Sequence, residues 1–180
     1  MKMKKLTLSL FGLFLLISSY SQVFNTASTL KPLKFSIGLN PVVVEENFGL
    51  FLHGGMGIKS GLDLSVKYGI FEGNDYFGAD LEWGLINNSV DISLTTGIHN
   101  FDEFGLDVAL NFSFDIRKDI HLYTGFDTDL VFYDDAELFV WIPVGVEIGI
   151  KNGMSLILEA EIPVNNQAYS VFGGGLAFYF

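Results

Sequence analysis

The chain has 180 residues, of which 49% are hydrophobic, and its formal net charge is −11. This length suits one domain and is too short for two ordinary ones. The absence of cysteine excludes disulfide frameworks, thiolate metal sites and cysteine nucleophiles. The excess of acidic residues argues against nucleic-acid partners, because binding to phosphates requires lysine and arginine.

The N-terminus has the three parts of a secretory signal peptide. Residues 1–5 include three lysines, residues 6–17 form an apolar core, and residues 19–21 read Ser-Tyr-Ser, a small-x-small cleavage site. The alternative is a membrane anchor, but the apolar segment is shorter than the ~20 residues that a membrane helix needs. We therefore predict that residues 1–21 are a cleaved signal peptide and that residues 22–32 are a periplasmic tether.

From residue 33 onward, apolar and polar residues alternate with the period of two that indicates β-strands. Ten such segments span residues 33–42, 48–58, 62–70, 77–85, 90–98, 104–116, 120–132, 138–150, 153–163 and 169–180. Their length of roughly 10–13 residues exceeds the ~5–6 of an average strand and suits a tilted membrane-spanning strand of ~9–11. Residues 33–180 are therefore predicted to form an all-β, antiparallel up-and-down transmembrane barrel of about ten strands. Merging or losing one hairpin would leave eight.

The connections between these segments alternate between tight turns and longer, mostly acidic loops. The tight turns lie at residues 59–61, 87–88, 117–119 and 151–153. The loops contain residues 45–46, 72–76, 100–103, 134–137 and 165–167. Membrane barrels have short periplasmic turns and longer outer loops, here of about five to eight residues. Ten strands then place both termini and every tight turn in the periplasm.

Alternation by itself leaves open which face of the sheet is outside. A soluble barrel such as a lipocalin has an apolar interior, but here the apolar face is almost continuous over ten segments and exceeds what a small lumen holds. The polar face is rich in glycine, which suits a crowded interior. Aromatic residues collect at the segment ends in two sets, as in the girdles at the two membrane interfaces. The sets are Phe48, Phe77, Phe104, Phe132 and Tyr169 at one end and Phe35, Trp83, Phe114, Phe178 and Phe180 at the other.

The C-terminal segment, Phe172 to Phe180, has apolar residues at alternate positions and ends on an aromatic residue. This segment resembles the final strand of the small, porin-like outer-membrane β-barrel proteins of Gram-negative bacteria. The resemblance implies that the barrel assembly machinery reads Phe180 as an assembly signal. It also implies an outer-membrane location, with the lipid bilayer and lipopolysaccharide as partners.

The polar face is predicted to form an acidic lumen. Its eleven carboxylates are Asp63, Asp80, Glu82, Asp91, Asp107, Asp115, Asp127, Asp129, Glu147, Glu159 and Glu161. The clear counter-charges are Lys34 and Lys67, with His53 and His121 as further candidates. Because unpaired charges are costly to bury, these carboxylates are expected to be hydrated, to attract cations or to take up protons. Two functions remain open: a structural or interaction barrel, or a narrow cation-preferring pore for ions or small solutes.

No enzyme motif accompanies these residues. His99 with Asp102 is the one local His–acid pair, and it has no further motif around it. The clustered acids of the loops have no fixed metal-binding spacing, and we interpret them as solvated, although they could share Ca²⁺ or Mg²⁺ with lipopolysaccharide. The sequence therefore predicts no catalytic activity, no cofactor and no resident metal, and it leaves protein partners unassigned.

Overall fold

A computed structural model describes residues 26–44, 47–151 and 153–180. The predicted signal peptide and Glu45–Glu46 lie outside the described residues. The strands are β1 (Phe35–Val44), β2 (Asn47–Lys59), β3 (Leu62–Phe71), β4 (Asp75–Asn87), β5 (Val90–Phe101), β6 (Glu103–Arg117), β7 (Ile120–Phe132), β8 (Ala136–Lys151), β9 (Met154–Pro163) and β10 (Val171–Tyr179). In this part of the chain, no helix is long and apolar enough to cross a membrane.

The ten strands form one closed antiparallel barrel, in which each strand pairs with its neighbours in sequence. The first and last strands complete the ring, with a register that runs from Ser36 opposite Tyr179 to Val44 opposite Val171. Beyond β10, the Phe180 amide donates a hydrogen bond of 2.9 Å to the Phe35 carbonyl. Closure leaves no unpaired sheet edge, and a sheet that spans a membrane must meet this condition. The prediction of an all-β barrel is confirmed, with ten strands rather than eight.

The barrel is apolar outside and polar inside. Large apolar side chains such as Ile98, Phe126 and Leu138 are exposed on the outer surface. Polar side chains such as Ser93 and Thr95 are fully buried. A soluble barrel has the reverse arrangement, because its interior holds the apolar core. The chain is therefore a transmembrane β-barrel whose outer surface faces lipid.

The tight turns and both ends of the described chain lie at one end of the barrel, which we call the turn end; the opposite end is the loop end. Each strand that leads into a tight turn contains a bulge, a frequent feature of barrel rims. The bulged residues, all apolar and exposed, are Ile58, Leu85, Ile116 and Ile150. These bulges extend the outer apolar surface towards the turn end.

The loop end has shorter connections than the sequence predicts. Strand β5 continues to Phe101 and β6 begins at Glu103, so Asp102 alone connects them, with a φ of 62°. Aspartate tolerates this left-handed conformation better than most residues. The connections at 72–74 and 133–135 have three residues each, and only 164–170 is longer. The prediction of loops of five to eight residues is wrong for these three short connections, because the strands extend past their predicted bounds.

Most of the end-located aromatic residues predicted to face lipid are exposed. They are Phe48, Phe77, Phe104 and Phe132 near the loop end, and Phe35, Phe114, Phe178 and Phe180 near the turn end. Trp83 is half-buried. Tyr169 is misassigned, because its ring packs against Trp141 at a centroid distance of 5.9 Å instead of facing lipid. That the exposed rings mark the two membrane interfaces stays a prediction.

Candidate functional site

The interior of the barrel contains ten of the eleven carboxylates predicted to face the lumen. These are Asp63, Asp80, Glu82, Asp91, Asp107, Asp127, Asp129, Glu147, Glu159 and Glu161. The exception is Asp115, whose side chain is 66% exposed and bonds to His121 at 2.5 Å. Asp115 directly precedes the bulge at Ile116, where the alternation of β6 ends beside the turn. Asp115 therefore lies at the exposed rim of the turn end, outside the buried part of the interior.

Lys67 is the one buried lysine or arginine in the described part of the chain. Its Nζ lies 2.6 Å from Asp80 Oδ2, and both side chains are 2% exposed. Asp80 Oδ2 also accepts a hydrogen bond of 3.1 Å from Ser65 Oγ. Lys34, the other predicted counter-charge, is exposed and does not enter the lumen. In the described part of the chain, one buried lysine–aspartate pair thus lies among many acids.

Polar and apolar side chains pack together inside the barrel, from its middle towards the turn end. Asn111 Nδ2 donates hydrogen bonds to Ser93 Oγ at 3.3 Å and to Thr95 Oγ1 at 3.0 Å. Ser93 Oγ in turn donates to Glu82. On β7, β9 and β10, a buried cluster of Tyr123, Ile157 and Ala177 lines the interior. Ser93 and Thr95 are 0% exposed, so water does not reach these two side chains.

The chain before β1 packs inside the turn end. The Leu30 amide donates a hydrogen bond of 2.8 Å to Asp63 Oδ2, and Ser28 Oγ donates one of 3.0 Å to Asp91 Oδ2. Ala27 is buried, and the Leu33 amide bonds to the Gly57 carbonyl at 2.8 Å. We call residues 26–33 the N-terminal segment. Most of this segment belongs to the predicted tether, and where the structure describes it, it closes the turn end because luminal carboxylates accept its donors.

A side chain at position 57 should push the N-terminal segment out of the turn end, because the segment packs directly against Gly57. A Cβ at Gly57 would lie 2.1 Å from the Lys31 carbonyl oxygen, too close for any real contact. In Gly57→Val, we expect the Leu30 amide to exchange its hydrogen about tenfold faster, since a lost hydrogen bond is worth ~1–1.5 kcal/mol. Hydrogen exchange measured by mass spectrometry or NMR tests this.

The control for Gly57→Val is Gly54→Val on the same strand. A Cβ at Gly54 meets its nearest atoms at 3.8 Å or more, which is ordinary contact. Exchange at Leu30 should stay at the wild-type rate in Gly54→Val. Equal exchange rates in the two variants would contradict the packing of the N-terminal segment inside the barrel.

Aromatic side chains line the interior at the loop end. Phe51 contacts Phe71 and Tyr76 edge to face, at centroid distances of 5.3 and 5.1 Å. On the far side, Trp141 stacks on Phe139 at 5.9 Å. Sequence reasoning missed this inward set, because it considered aromatic residues only on the lipid face. The sequence did contain a signal for them: Phe71, Phe139 and Trp141 lie an even number of residues from luminal residues of the same strand, and therefore on the same face.

Two cavities of about 70 Å³ lie at the two ends of the interior. The turn-end cavity is bounded by the N-terminal segment together with His53, Asp63 and Lys67. The loop-end cavity has the aromatic walls described above and polar residues at its base; the latter are His99, Asp127, Asp129 and Glu161. Each cavity has room for a few water molecules.

At the loop-end cavity, His99 hydrogen-bonds through Nδ1 to Asp107 Oδ1. The Tyr76 ring stacks on the imidazole at 5.5 Å. Gly105 on the neighbouring strand leaves room for this ring, since a Cβ there would lie 2.2 Å from His99 Nε2. Asp102, the partner considered in the sequence, lies in the turn instead. The strand pattern places His99 and Asp107 on the same, luminal face of the β5–β6 hairpin. This pattern would have indicated the pair from the sequence.

Comparison with known proteins shows a likeness of fold. No protein-family model matches the chain, and no curated protein matches it significantly. Among solved structures, the KdgM porin is similar with a TM-score of 0.58 at 9% identity, over 81% of this chain and 99% of that chain. A designed transmembrane β-barrel has a TM-score of 0.46 at 13% identity, over 85% of this chain and 100% of its own. The N-terminal barrel of Pseudomonas aeruginosa OprF has a TM-score of 0.42 at 10% identity, over 84% of this chain and 100% of its own.

The likeness to the porin supports a porin-like membrane barrel as the fold of this chain. An identity of 9% shows the fold alone and assigns no activity. The function must therefore be argued from the interior of this barrel.

Proposed function

We propose that this protein is a small barrel of the outer membrane with a structural or interaction role and a closed, non-conducting interior. The observation that carries the proposal is the packed interior, where Ser93 and Thr95 are fully buried and accept hydrogen bonds from Asn111. An ion crossing the membrane would have to displace these groups. Ten strands also lie near the eight at which side chains fill a barrel, far from the 16–18 of water-filled porins.

The proposed orientation places the turn end in the periplasm and the loop end outside the cell. In its support, the connections at the turn end have two residues and carry basic side chains such as Lys59 and Arg117 on the flanking strands. The C-terminal strand and Phe180 are proposed to engage the barrel assembly machinery, and the outer surface to contact bilayer lipids and lipopolysaccharide. We propose no catalytic activity and no cofactor.

The second candidate is a narrow cation-preferring pore. The observation in its favour is the excess of luminal carboxylates over Lys67, which attracts cations electrostatically. Conduction would require the N-terminal segment to leave the turn end and the middle of the barrel to open. The complete burial of Ser93 and Thr95 favours the first candidate.

Single-channel recording in a planar bilayer under a salt gradient separates the two functions. The refolded protein, with folding checked by its heat-dependent gel shift, should give no channel openings, whereas a known porin refolded in the same way should conduct. Discrete openings with a cation-selective reversal potential would overturn the proposal in favour of the pore. In that case, Asp107→Asn and Asp127→Asn should weaken the selectivity, because both carboxylates face the lumen.

A further inference from the structure

Three strands bring an imidazole and two carboxylates together at the base of the loop-end cavity. His99 lies on β5, Asp107 on β6 and Asp129 on β7, directly opposite Asp107 in the register. One ligand atom from each of the three side chains lies within 4.8 Å of the other two. Residues on three neighbouring strands of a closed sheet are held rigidly, which favours a preformed site.

The carboxylates of this group have oxygens without donors. Apart from the contact between the two carboxylates themselves, Asp107 Oδ2 and Asp129 Oδ1 have no hydrogen-bond donor among the described residues. Asp127, which is 2% exposed and borders the same cavity, likewise has an unpartnered Oδ1. Buried polar atoms are normally bonded, and a buried charge without a partner is costly. A cation in this position would supply the missing interaction.

We propose that His99, Asp107 and Asp129 bind one divalent transition-metal ion, with Zn²⁺ as the reference ion. An imidazole nitrogen with two carboxylate oxygens is a mixed ligand set that suits Zn²⁺, whereas Ca²⁺ and Mg²⁺ prefer oxygen ligands throughout. Three protein ligands leave a fourth position open to the cavity. Binding through Nδ1 of His99 would replace its hydrogen bond to Asp107, and the proton on that nitrogen would be released if the imidazole is protonated or would move to Nε2 if it is neutral.

The structure also offers a supporting shell for the ion. Tyr76 stacks on the imidazole and Gly105 leaves space for it, and both contacts restrict the orientation of the ring. Gly97 similarly leaves room for Asp107, since a Cβ there would lie 2.9 Å from Asp107 Oδ2. Such outer contacts orient metal ligands. The site is independent of the proposed closed interior, because a non-conducting barrel can hold an ion at one end.

Calorimetric titration of the untagged, refolded chain with ZnCl₂ after treatment with a chelator tests the site. We expect one equivalent of Zn²⁺ to bind, with weaker binding of Ca²⁺. His99→Gln and Asp129→Asn should each weaken Zn²⁺ binding at least about tenfold, as even the loss of an outer-shell partner costs 10–100-fold. The matched control is Glu161→Gln, which removes the same charge from the same cavity and should bind Zn²⁺ like the wild type.

Two results would overturn the proposal. One is folded wild-type protein that binds no Zn²⁺. The other is equal weakening in Glu161→Gln and Asp129→Asn, which would indicate general attraction by an acidic cavity. The gel shift establishes folding for each variant, and if His99→Gln does not fold, the comparison of Asp129→Asn with Glu161→Gln decides. Calorimetry tests the metal site and channel recording tests the closed interior, so each proposal can fail without the other.

Discussion

Replacing Lys67 with methionine should lower the free energy of unfolding by about 3–5 kcal/mol, the usual cost of breaking a buried ion pair by removing one partner. Lys67 is almost fully buried and lies 2.6 Å from Asp80. Its charge also acts on Asp107 and Asp127, so three carboxylates lose their nearest buried cation together. Urea unfolding of the refolded barrel, followed by tryptophan fluorescence, measures the change.

The control for this variant is Lys59→Met, because Lys59 is exposed at the turn end. Surface substitutions of this kind change stability by no more than ~0.5 kcal/mol. The double variant Lys67→Met/Asp80→Asn should recover part of the loss, since it removes the anion that Lys67 neutralises. A stability of Lys67→Met within that surface range, or additive losses in the double variant, would show that the ion pair does not hold the interior together.

Placing a charge on the middle of the outer surface should be nearly as damaging. Phe126 is the central residue of the 13-residue strand β7, and its side chain is 56% exposed on the apolar face. Phe126→Arg should cost about 2–4 kcal/mol, as arginine does on the lipid face at the bilayer midplane. Unfolding in lipid vesicles, compared with the wild type, gives this value.

Depth in the membrane provides the control for Phe126→Arg. Phe132 ends the same strand and stacks on Phe104 at 5.9 Å, and Phe132→Arg should cost only about 0–1 kcal/mol from the charge. Phe126→Leu separates the effect of charge from the loss of ring volume. Equal costs for arginine at the two depths would contradict the assignment of the outer surface to lipid.

The local pattern of single strands was sufficient to predict the fold. In β6, every second residue from Phe104 to Ile116 is apolar, and the structure turns these side chains outward. Side chains in a strand alternate by geometry, so one strand reveals its two faces without reference to any other. The strand count followed from the turns, which break this alternation. The predicted bounds differ from the observed ones mainly at the loop end, where polar residues such as Glu103 extend a strand.

Predictions that depended on position across the barrel were less accurate. Asp115 has the parity of a luminal residue, yet it lies next to the turn, where its side chain is 66% exposed. Lys34 was counted as a luminal cation because it has luminal parity, but it precedes β1 and is exposed. Alternation identifies the face of the sheet, while bulges and turns at the rim decide whether a residue is covered.

By itself, the sequence determined that this chain is an antiparallel membrane barrel of about ten strands, because strand length and alternation are local properties. Only the tertiary structure decided what lies inside the barrel. The packing of the N-terminal segment against Asp63, the Lys67–Asp80 pair and the group of His99, Asp107 and Asp129 join residues on different strands or at distant positions. Such contacts depend on the register between strands and on closure of the ring, and neither leaves a periodic signal along the chain.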